Sequence, residues 1–288
     1  MSICYLNGEL MPLGEARIPV LDRGFIFGDG VYEVIPVYAR QPFHLDWHMK
    51  RLQTSADGIR LTNPYSFEKW GELVRQIVER NEWDDQSIYI QVTRGVAPRN
   101  HAFPKPDIRP TVFIMSGPLV PPPAAMYEKG VPAITLEDNR WLRCNLKTTA
   151  LLANCLLRQE AEDAGCPEAV LIREGFLTEA SSSNVFVVKN GTILTPPKDH
   201  LILPGITYDV VIELARHGGI PLEARQVTEQ EVRTADELWL TSSTKEVLPI
   251  TTLDGKPVGN GRPGPMFHRM RALFEAAKPA KQRRAAHA

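Results

Sequence analysis

The chain has 288 residues, long enough for two ordinary domains or one large one with a substantial core. Its 33 Lys and Arg nearly cancel its 34 Asp and Glu, and the formal net charge of −1 excludes a strong global field towards nucleic acid or an anionic membrane. No apolar run is long enough to span a bilayer, and the opening MSICYLNGE has neither a basic start nor an apolar stretch of signal length, so a cytoplasmic protein is expected. Cys4, Cys144, Cys155 and Cys166 show no CxxC spacing and are expected as reduced thiols. With the histidines equally scattered, no zinc or other metal site is expected.

In chain order, Asn7-Gly8 between Ile3–Leu6 and Glu9–Leu13 predicts a hairpin, since both residues tolerate positive φ. A loop with three glycines, LDRGFIFGDG (21–30), leads into a strand over Val31–Ala39. There Val31, Glu33, Ile35 and Val37 face one way and Tyr32, Val34, Pro36 and Tyr38 the other. Pro36 lacks an N–H and must sit at an edge, a bulge or a non-bonding position. The Gly28-x-Gly30 pair is no dinucleotide fingerprint, because a strand rather than a helix follows it. Helices are predicted over Leu45–Ile59 and Phe67–Arg80, the second with Ser66 as N-cap and an apolar stripe through Phe67, Trp70, Leu73, Val74, Ile77 and Val78. Strands follow at Ser87–Arg94 and Thr111–Ser116, joined by a loop that carries Arg99 and His101. These elements make an α+β domain over residues 1–118, and the proline-rich 119–126 is the expected linker.

The second domain is expected over 127–277. It opens with a strand at Val131–Leu136, followed by a helix over Thr149–Ala164 with Leu151, Leu152, Cys155 and Leu156 on its apolar face. Strands at Ala169–Arg173, Asn184–Val188 and Thr192–Leu194 precede a helix over Tyr208–His217. A strand at Glu237–Thr241 ends in hydroxyl residues. The tail from Lys278 is basic, lacks large apolar residues and is expected to fray.

Three groups of residues could carry chemistry. Lys147 lies in the uncharged stretch Cys144–Ala150; a lysine among apolar neighbours can lose its proton near neutral pH and act as a Schiff-base nucleophile. Glu179, at a strand end, could keep a pyridine nitrogen protonated. Gly205-Ile206-Thr207 at a helix start, the hydroxyls at Ser242, Ser243 and Thr244, and the charge of Arg51 together favour an anion cup, although a plain helix cap by Thr207 explains the first of these equally well. Arg99 and His101 could clamp a carboxylate, with Tyr32 donating a third hydrogen bond; solvated loop residues and a rim tyrosine are the plainer alternatives. No GxSxG or GxxxxGKS occurs, so a hydrolase elbow and a P-loop find no support.

Six ordered blocks, LDRGFIFGDGVYEV, IYIQVTRGVAPRNHAFP, RWLRCNLKTTALLANCL, LTEASSSNVF, LILPGIT and LTSSTKEVLP, run nearly end to end. Through them the chain resembles the fold-type IV pyridoxal-phosphate aminotransferases, and within them the branch specific for D-amino acids. The resemblance implies a small N-terminal α/β domain and a larger C-terminal barrel-like α/β domain, with pyridoxal 5'-phosphate in the cleft between them. It implies that Lys147 forms the Schiff base and shuttles the substrate proton, and that Glu179 pairs with the pyridine nitrogen. Arg51, Ile206, Thr207 and Ser243 would hold the phosphate, and Ser182 and Leu203 would flank the ring. Tyr32, Arg99 and His101 would trap the substrate carboxylate, with Arg140 in the same neighbourhood. Ala180 stands where relatives often have Gly, and Ser243 where Thr is common; both keep size and hydrogen bonding nearly the same.

The implied activity is a ping-pong transamination between a D-amino acid (D-alanine, D-glutamate) and a 2-oxo acid (2-oxoglutarate, pyruvate) in a homodimer, with Arg99 and His101 reaching across the interface. On the same fold, a branched-chain L-aminotransferase, an R-selective amine transaminase or an aminodeoxychorismate lyase are the alternatives. A catalytically silent scaffold is an alternative of another class, opposed by the joint presence of Lys147, Glu179 and the hydroxyl clusters.

Overall fold

An Asn7-Gly8 turn, both residues at positive φ, folds β1 (Ile3–Leu6) back on β2 (Glu9–Pro12) as the sequence requires. The structure is a computed structural model and describes residues 2–105 and 108–280; of the tail expected to fray, 281–288 lies outside the described residues. The chain divides into two compact units. One comprises the chain up to Val120, Leu146–Ala150 and the chain from Lys278; the other comprises Pro121–Asn145 and Leu151–Ala277. The five residues around Lys147 therefore belong with the N-terminal unit, although the sequence reading assigns them to the C-terminal one.

In the N-terminal unit, α1 (Arg23–Phe27) precedes β3 (Gly30–Tyr38) and the two-residue β4 (Gln41–Pro42). Then come α2 (Leu45–Gly58), α3 (Phe67–Arg80), β5 (Gln86–Thr93) and β6 (Thr111–Pro118). The six strands form an antiparallel sheet in the order β2-β1-β6-β5-β3-β4. Alternation puts Val31, Ile35 and Val37 of β3 with Ile88, Ile90 and Val92 of β5 against Leu52 of α2 and Trp70, Val74 and Ile77 of α3. Each such side chain contributes about 1.5–3 kcal/mol by leaving water. Ser66 caps α3 by accepting the Lys69 N–H. The carbonyl of Pro36 accepts from Phe43, so its nitrogen also faces the side covered only by β4, where no ladder donor is required.

The C-terminal unit starts with α4 (Ala124–Lys129) and β7 (Val131–Glu137), followed by α5 (Leu152–Asp163), β8 (Ala169–Arg173) and β9 (Phe176–Ala180). Next come β10 (Asn184–Lys189), β11 (Thr192–Thr195), α6 (Ile206–His217), β12 (Leu222–Ala224) and α7 (Glu229–Arg233). The last elements are β13 (Glu237–Ser242), β14 (Glu246–Leu253), β15 (Lys256–Pro257) and α8 (Pro265–Ala277). The sheet runs β12-β11-β10-β13-β14-β7-β8-β9, with β15 attached to β14. In that order β10 and β9 stand five strands apart, about 24 Å if the sheet were flat. The chain from Ala180 to Asn184 can reach only about 14 Å. The sheet must curl to let β9 turn directly into β10, which gives the expected barrel-like form. Phe186, Tyr208 and Trp239 are buried and pack against one another on it.

Three expectations change. The stretch read as linker to residue 126 already turns helical at Ala124, because prolines without N–H groups suit the position just ahead of a first helical turn. The helix expected from Thr149 starts only at Leu152, since Thr149 donates its N–H to Gly30. Its buried residues are Leu157 and Ala161, packed on Ala169 and Leu171, whereas Leu152 and Leu156 are exposed within the chain at 74% and 58%. Among the described residues no helix is long and apolar enough to cross a membrane.

Gly28 has φ +64°, and a Cβ there would lie 3.1 Å from the Ala150 backbone. Gly28→Ala is expected to destabilise the protein by about 1–3 kcal/mol, through backbone strain and crowding. Gly14→Ala is the control, with nothing within 4 Å of its added methyl. Urea midpoints measure both, and equal midpoints would refute the close approach.

Candidate active site

Lys147 is placed by its backbone. Its carbonyl accepts the Tyr32 N–H at 3.0 Å, and its N–H donates to Ser55 Oγ at 3.0 Å. Thr148 bridges Val31, and the Thr149 hydroxyl donates to the Gly28 carbonyl at 2.9 Å, so residues 147–149 run along β3 as an extra rung. Glycine makes this approach possible: a Cβ on Gly30 would meet Thr149 Oγ1 at 3.2 Å, and one on Gly58 would meet Leu146 Cδ2 at 2.4 Å. The Lys147 ammonium stands 4.3 Å from the centre of the Tyr32 ring, a cation–π contact.

Nearly two turns into α2, Arg51 donates through Nε and Nη2 to the two oxygens of Glu33, each at 2.8 Å, and His48 Nδ1 lies 2.7 Å from the same carboxylate. Burial would raise the Glu33 carboxyl, but the Arg51 charge and these bonds outweigh it and hold it at about 2. Burial also drives the His48 imidazole below its ordinary value against the pull of Glu33, and its buried Nε2 has no partner. Arg51, expected at a phosphate, is thus oriented by a carboxylate that the sequence reading passed over. The signal was present in the alternation, where Glu33 shares the buried face with Val31 and Ile35; a buried acid must be paired.

Arg99 and His101 meet at one ring. The Arg99 guanidinium lies 5.5 Å from the Phe27 centroid and the His101 ring 5.4 Å from it, both side chains being exposed.

In the C-terminal unit, Glu179 sits at the end of β9 and accepts three hydrogen bonds. Arg140 Nη1 reaches Oε1 at 2.5 Å, while Asn184 Nδ2 and the Leu203 N–H each reach Oε2 at 3.1 Å. Behind it, Arg140 forks onto Asp138 at 2.9 and 2.8 Å, and Arg173 reaches Asp138 at 3.1 Å. Burial would raise Asp138, but the Arg140 bonds hold it at about 2. For Glu179, burial prevails over Arg140 and pushes the carboxyl up to about 7. Leu203 therefore contributes its backbone N–H to this carboxylate.

Helix α6 starts at Gly205 with no side-chain cap; Thr207, read as a possible cap, lies in the first turn, so the Ile206 and Thr207 N–H groups lie at an uncapped helix start. A Cβ on Gly205 would meet Asn184 Oδ1 at 2.1 Å, which fixes the helix start beside the residue that holds Glu179. Across the sheet Asn184 pairs with Thr241, whose buried hydroxyl has no partner, and Ser242 and Ser243 follow. The Ser182 hydroxyl, expected near the cofactor ring, donates to Glu168 at 2.8 Å and accepts from Lys245 at 2.9 Å; Ser181 and Ser183 donate to Glu168 as well. Neither Glu168 nor Lys245 carried a sequence signal of its own.

Residues 30–253 match the family described as Amino-transferase class IV. The chain belongs to the class IV aminotransferases. It is 42% identical over 269 residues to D-alanine aminotransferase of Bacillus licheniformis, covering 93% of this chain and 94% of that one. To D-alanine aminotransferase of Staphylococcus aureus (strain MW2) it is 40% identical, covering 96% and 97%. Among solved structures, it is similar to the branched-chain amino acid aminotransferase of Escherichia coli, with TM-score 0.90, 26% identity and coverage of 99% and 97%. The T.th. branched-chain amino acid aminotransferase with pyridoxamine 5'-phosphate gives TM-score 0.88 and 28% identity, covering 98% and 95%.

Class IV aminotransferases are pyridoxal phosphate enzymes, and the residues present in this one fit the group. A carboxylate offers about four acceptor positions. Glu179 uses three, which leaves one on Oε1 for a ring N–H, and a value near 7 suits proton sharing with a pyridine nitrogen. The uncapped start of α6 and the unpartnered Thr241 hydroxyl form a donor set suited to a phosphate.

The raised Glu179 value stabilises the fold below the ordinary carboxylate value, and that contribution is lost as pH rises through 7. Stripped of cofactor, the wild type should lose stability relative to Glu179→Gln between about pH 4.5 and about pH 7, by at most roughly 1.4 kcal/mol per unit. Parallel stability curves from urea unfolding would show that Glu179 does not titrate there.

Proposed function

We propose that this aminotransferase exchanges an amino group between a D-amino acid, such as D-alanine or D-glutamate, and a 2-oxo acid, such as 2-oxoglutarate or pyruvate. The observation that carries the reading is the pairing of Arg99 and His101 on Phe27, which sets two donors for an α-carboxylate side by side on one loop. The name shared by the Bacillus and Staphylococcus relatives supports it.

Pyridoxal phosphate, when bound, supplies the electron-withdrawing ring that makes the α-proton of an amino acid acidic. Lys147 would carry the group, and its ε-amine would take the α-proton and return it. The Tyr32 ring 4.3 Å away keeps that nitrogen beside a phenol able to donate to the substrate carboxylate. Glu179 would take the ring nitrogen, with Arg140 and Asn184 fixing the carboxylate's plane. Arg51, Ser243, Thr207 and the Ile206 N–H would hold the phosphate, and Ser182 and Leu203 would flank the ring. Tyr32, Arg99 and His101 bind the substrate carboxylate.

The test is a panel of D-alanine, L-leucine and a simple amine, read by the spectral change of the bound cofactor in a single half-reaction. D-Alanine should exceed the other two by about 100-fold or more in kcat/KM, since a site built for a polar group rejects ligands that lack it or misplace it. Lys147→Ala should abolish turnover and the visible band of the bound cofactor. Faster reaction with L-leucine would replace this reading by the branched-chain one.

We also propose a cytoplasmic homodimer. Ile18, Val20, Leu21, Phe25 and Val96 are exposed apolar side chains around α1, with Val20 at 73% and Phe25 at 70%, and the Asp22–Val96 bridge joins their two segments. Such a patch marks an interface. Val96 stands three residues before Arg99, so burying this face in a dimer would bring the Arg99–His101 loop to the interface. Phe25→Asp should shift the protein from dimer to monomer in light scattering; an unchanged mass would reject this face.

A further inference from the structure

We propose that Arg23 is the positioning residue of the substrate-carboxylate loop, holding residues 99–103 in the one arrangement that lets Arg99 and His101 act together. The proposal rests on the carboxylate-binding reading of those two side chains.

The loop needs such a device. Residues 99–103 are exposed, and only a local bond from the Ala102 N–H to Asn100 Oδ1 shapes them from within. Chain ordered in this way has little stability of its own. Arg23, by contrast, is 3% exposed and emerges from α1. That helix is seated tightly: Asp22 caps it by accepting the Gly24 N–H, and a Cβ on Gly24 would meet Thr93 Cγ2 at 2.2 Å. From this fixed base, Arg23 Nη1 donates to the Asn100 carbonyl at 2.5 Å and reaches the Ala102 carbonyl at 3.4 Å. These two carbonyls flank His101. The same guanidinium lies 4.8 Å from the Phe27 centroid, the ring that Arg99 and His101 share.

A second arginine completes the mount. Asp29 accepts Arg23 Nε at 2.7 Å and Arg94 Nε and Nη2 at 2.8 and 2.9 Å, which fixes both guanidinium planes. Arg94 also donates to the Arg60 and Ile59 carbonyls, each at 2.8 Å. The Phe103 ring, at the far end of the loop, lies 3.8 Å from the Arg94 guanidinium, 4.9 Å from that of Arg60 and 6.0 Å from that of Arg23. The loop is therefore gripped at the Phe27 ring, at two carbonyls and at Phe103, and Arg23 takes part in all three. A lysine could replace it only in part, because a point ammonium cannot bond a carboxylate and a carbonyl in one plane while stacking on a ring.

The test compares Arg23→Gln, Arg23→Lys and Arg99→Ala with the wild type as cofactor-loaded enzymes. Propionate, a carboxylate without an amine, is titrated by calorimetry. Its Kd should rise about tenfold or more in Arg23→Gln and by less in Arg23→Lys, as loss of a charge-assisted clamp predicts. KM for D-alanine should rise in parallel while kcat falls less than about threefold, the signature of lost binding common to ground and transition states. Amide exchange at residues 99–103 should quicken in Arg23→Gln. If Arg99→Ala weakens propionate and Arg23→Gln does not, the positioning role is wrong. If Arg99→Ala itself leaves propionate binding intact, the carboxylate reading on which the proposal rests is wrong. Should Arg23→Gln fail to fold, Arg23→Lys decides: unchanged propionate affinity and exchange would overturn the proposal.

Discussion

The hydrogen bond from the Tyr32 N–H to the Lys147 carbonyl is the constraint on which the placing of Lys147 depends. Lys147 belongs by contact to the N-terminal unit, yet the chain on both sides of Leu146–Ala150 belongs to the other. A segment held only by its covalent neighbours would let a long flexible amine wander. Here the backbone is locked at Tyr32, Ser55 and Gly30, and the freedom left to the amine is that of its own side chain. The three glycines at 28, 30 and 58 exist for this approach, since any side chain there would meet the segment or its surroundings. A reactive group set on a braced backbone rung is held more closely than one on an open loop.

Buried charge follows a second rule, visible in how many guanidinium N–H groups each acid receives. Glu33 receives two from Arg51, with His48 beside them, and stays at about 2. Asp29 lies between Arg23 and Arg94, and although burial opposes them, they keep it below the ordinary carboxylate range. Asp138 receives the fork of Arg140 and a bond from Arg173, and also lies at about 2. Glu179 gets one remaining N–H of that same Arg140 and is left at about 7. The different outcome for Glu179 does not come from burial alone, because Glu33 is buried as deeply. It comes from a guanidinium already committed elsewhere, and that division leaves this one carboxyl able to exchange a proton near neutral pH.

Much of this was legible in the amino-acid sequence, and what was not has a common cause. The hairpin at Asn7-Gly8, the Ser66 cap and the α3 stripe are local signals, and they appear where the residues place them, except that Phe67 at the head of the stripe is exposed. Lys147 and Glu179 stood out as single residues with an unusual setting. The face of α5 did not read correctly, because Leu152 and Leu156 look like core by spacing while the sheet takes Leu157 and Ala161 instead. The partners of the site residues were hidden for a related reason. Asp138, Asn184 and Glu168 are ordinary polar residues until the curled sheet sets β9 next to β10 and carries the turn after β13 to Ser182. Pairings across long sequence separation cannot be read from periodicity, which reports only which side of an element a residue takes.

Specificity follows from the same division between scaffold and loop. The fold agrees over nearly the whole chain with aminotransferases named for branched-chain substrates, at identities of 26–28%, so the fold by itself does not choose the substrate. What can choose is whatever faces the atoms that differ between substrates. The Arg99–His101 loop has that freedom, being exposed and outside both sheets, and it has its own anchorage in Phe27, Arg23 and Phe103. A loop tied to the scaffold through rings and carbonyls can change its outward side chains without disturbing the sheet it is tied to.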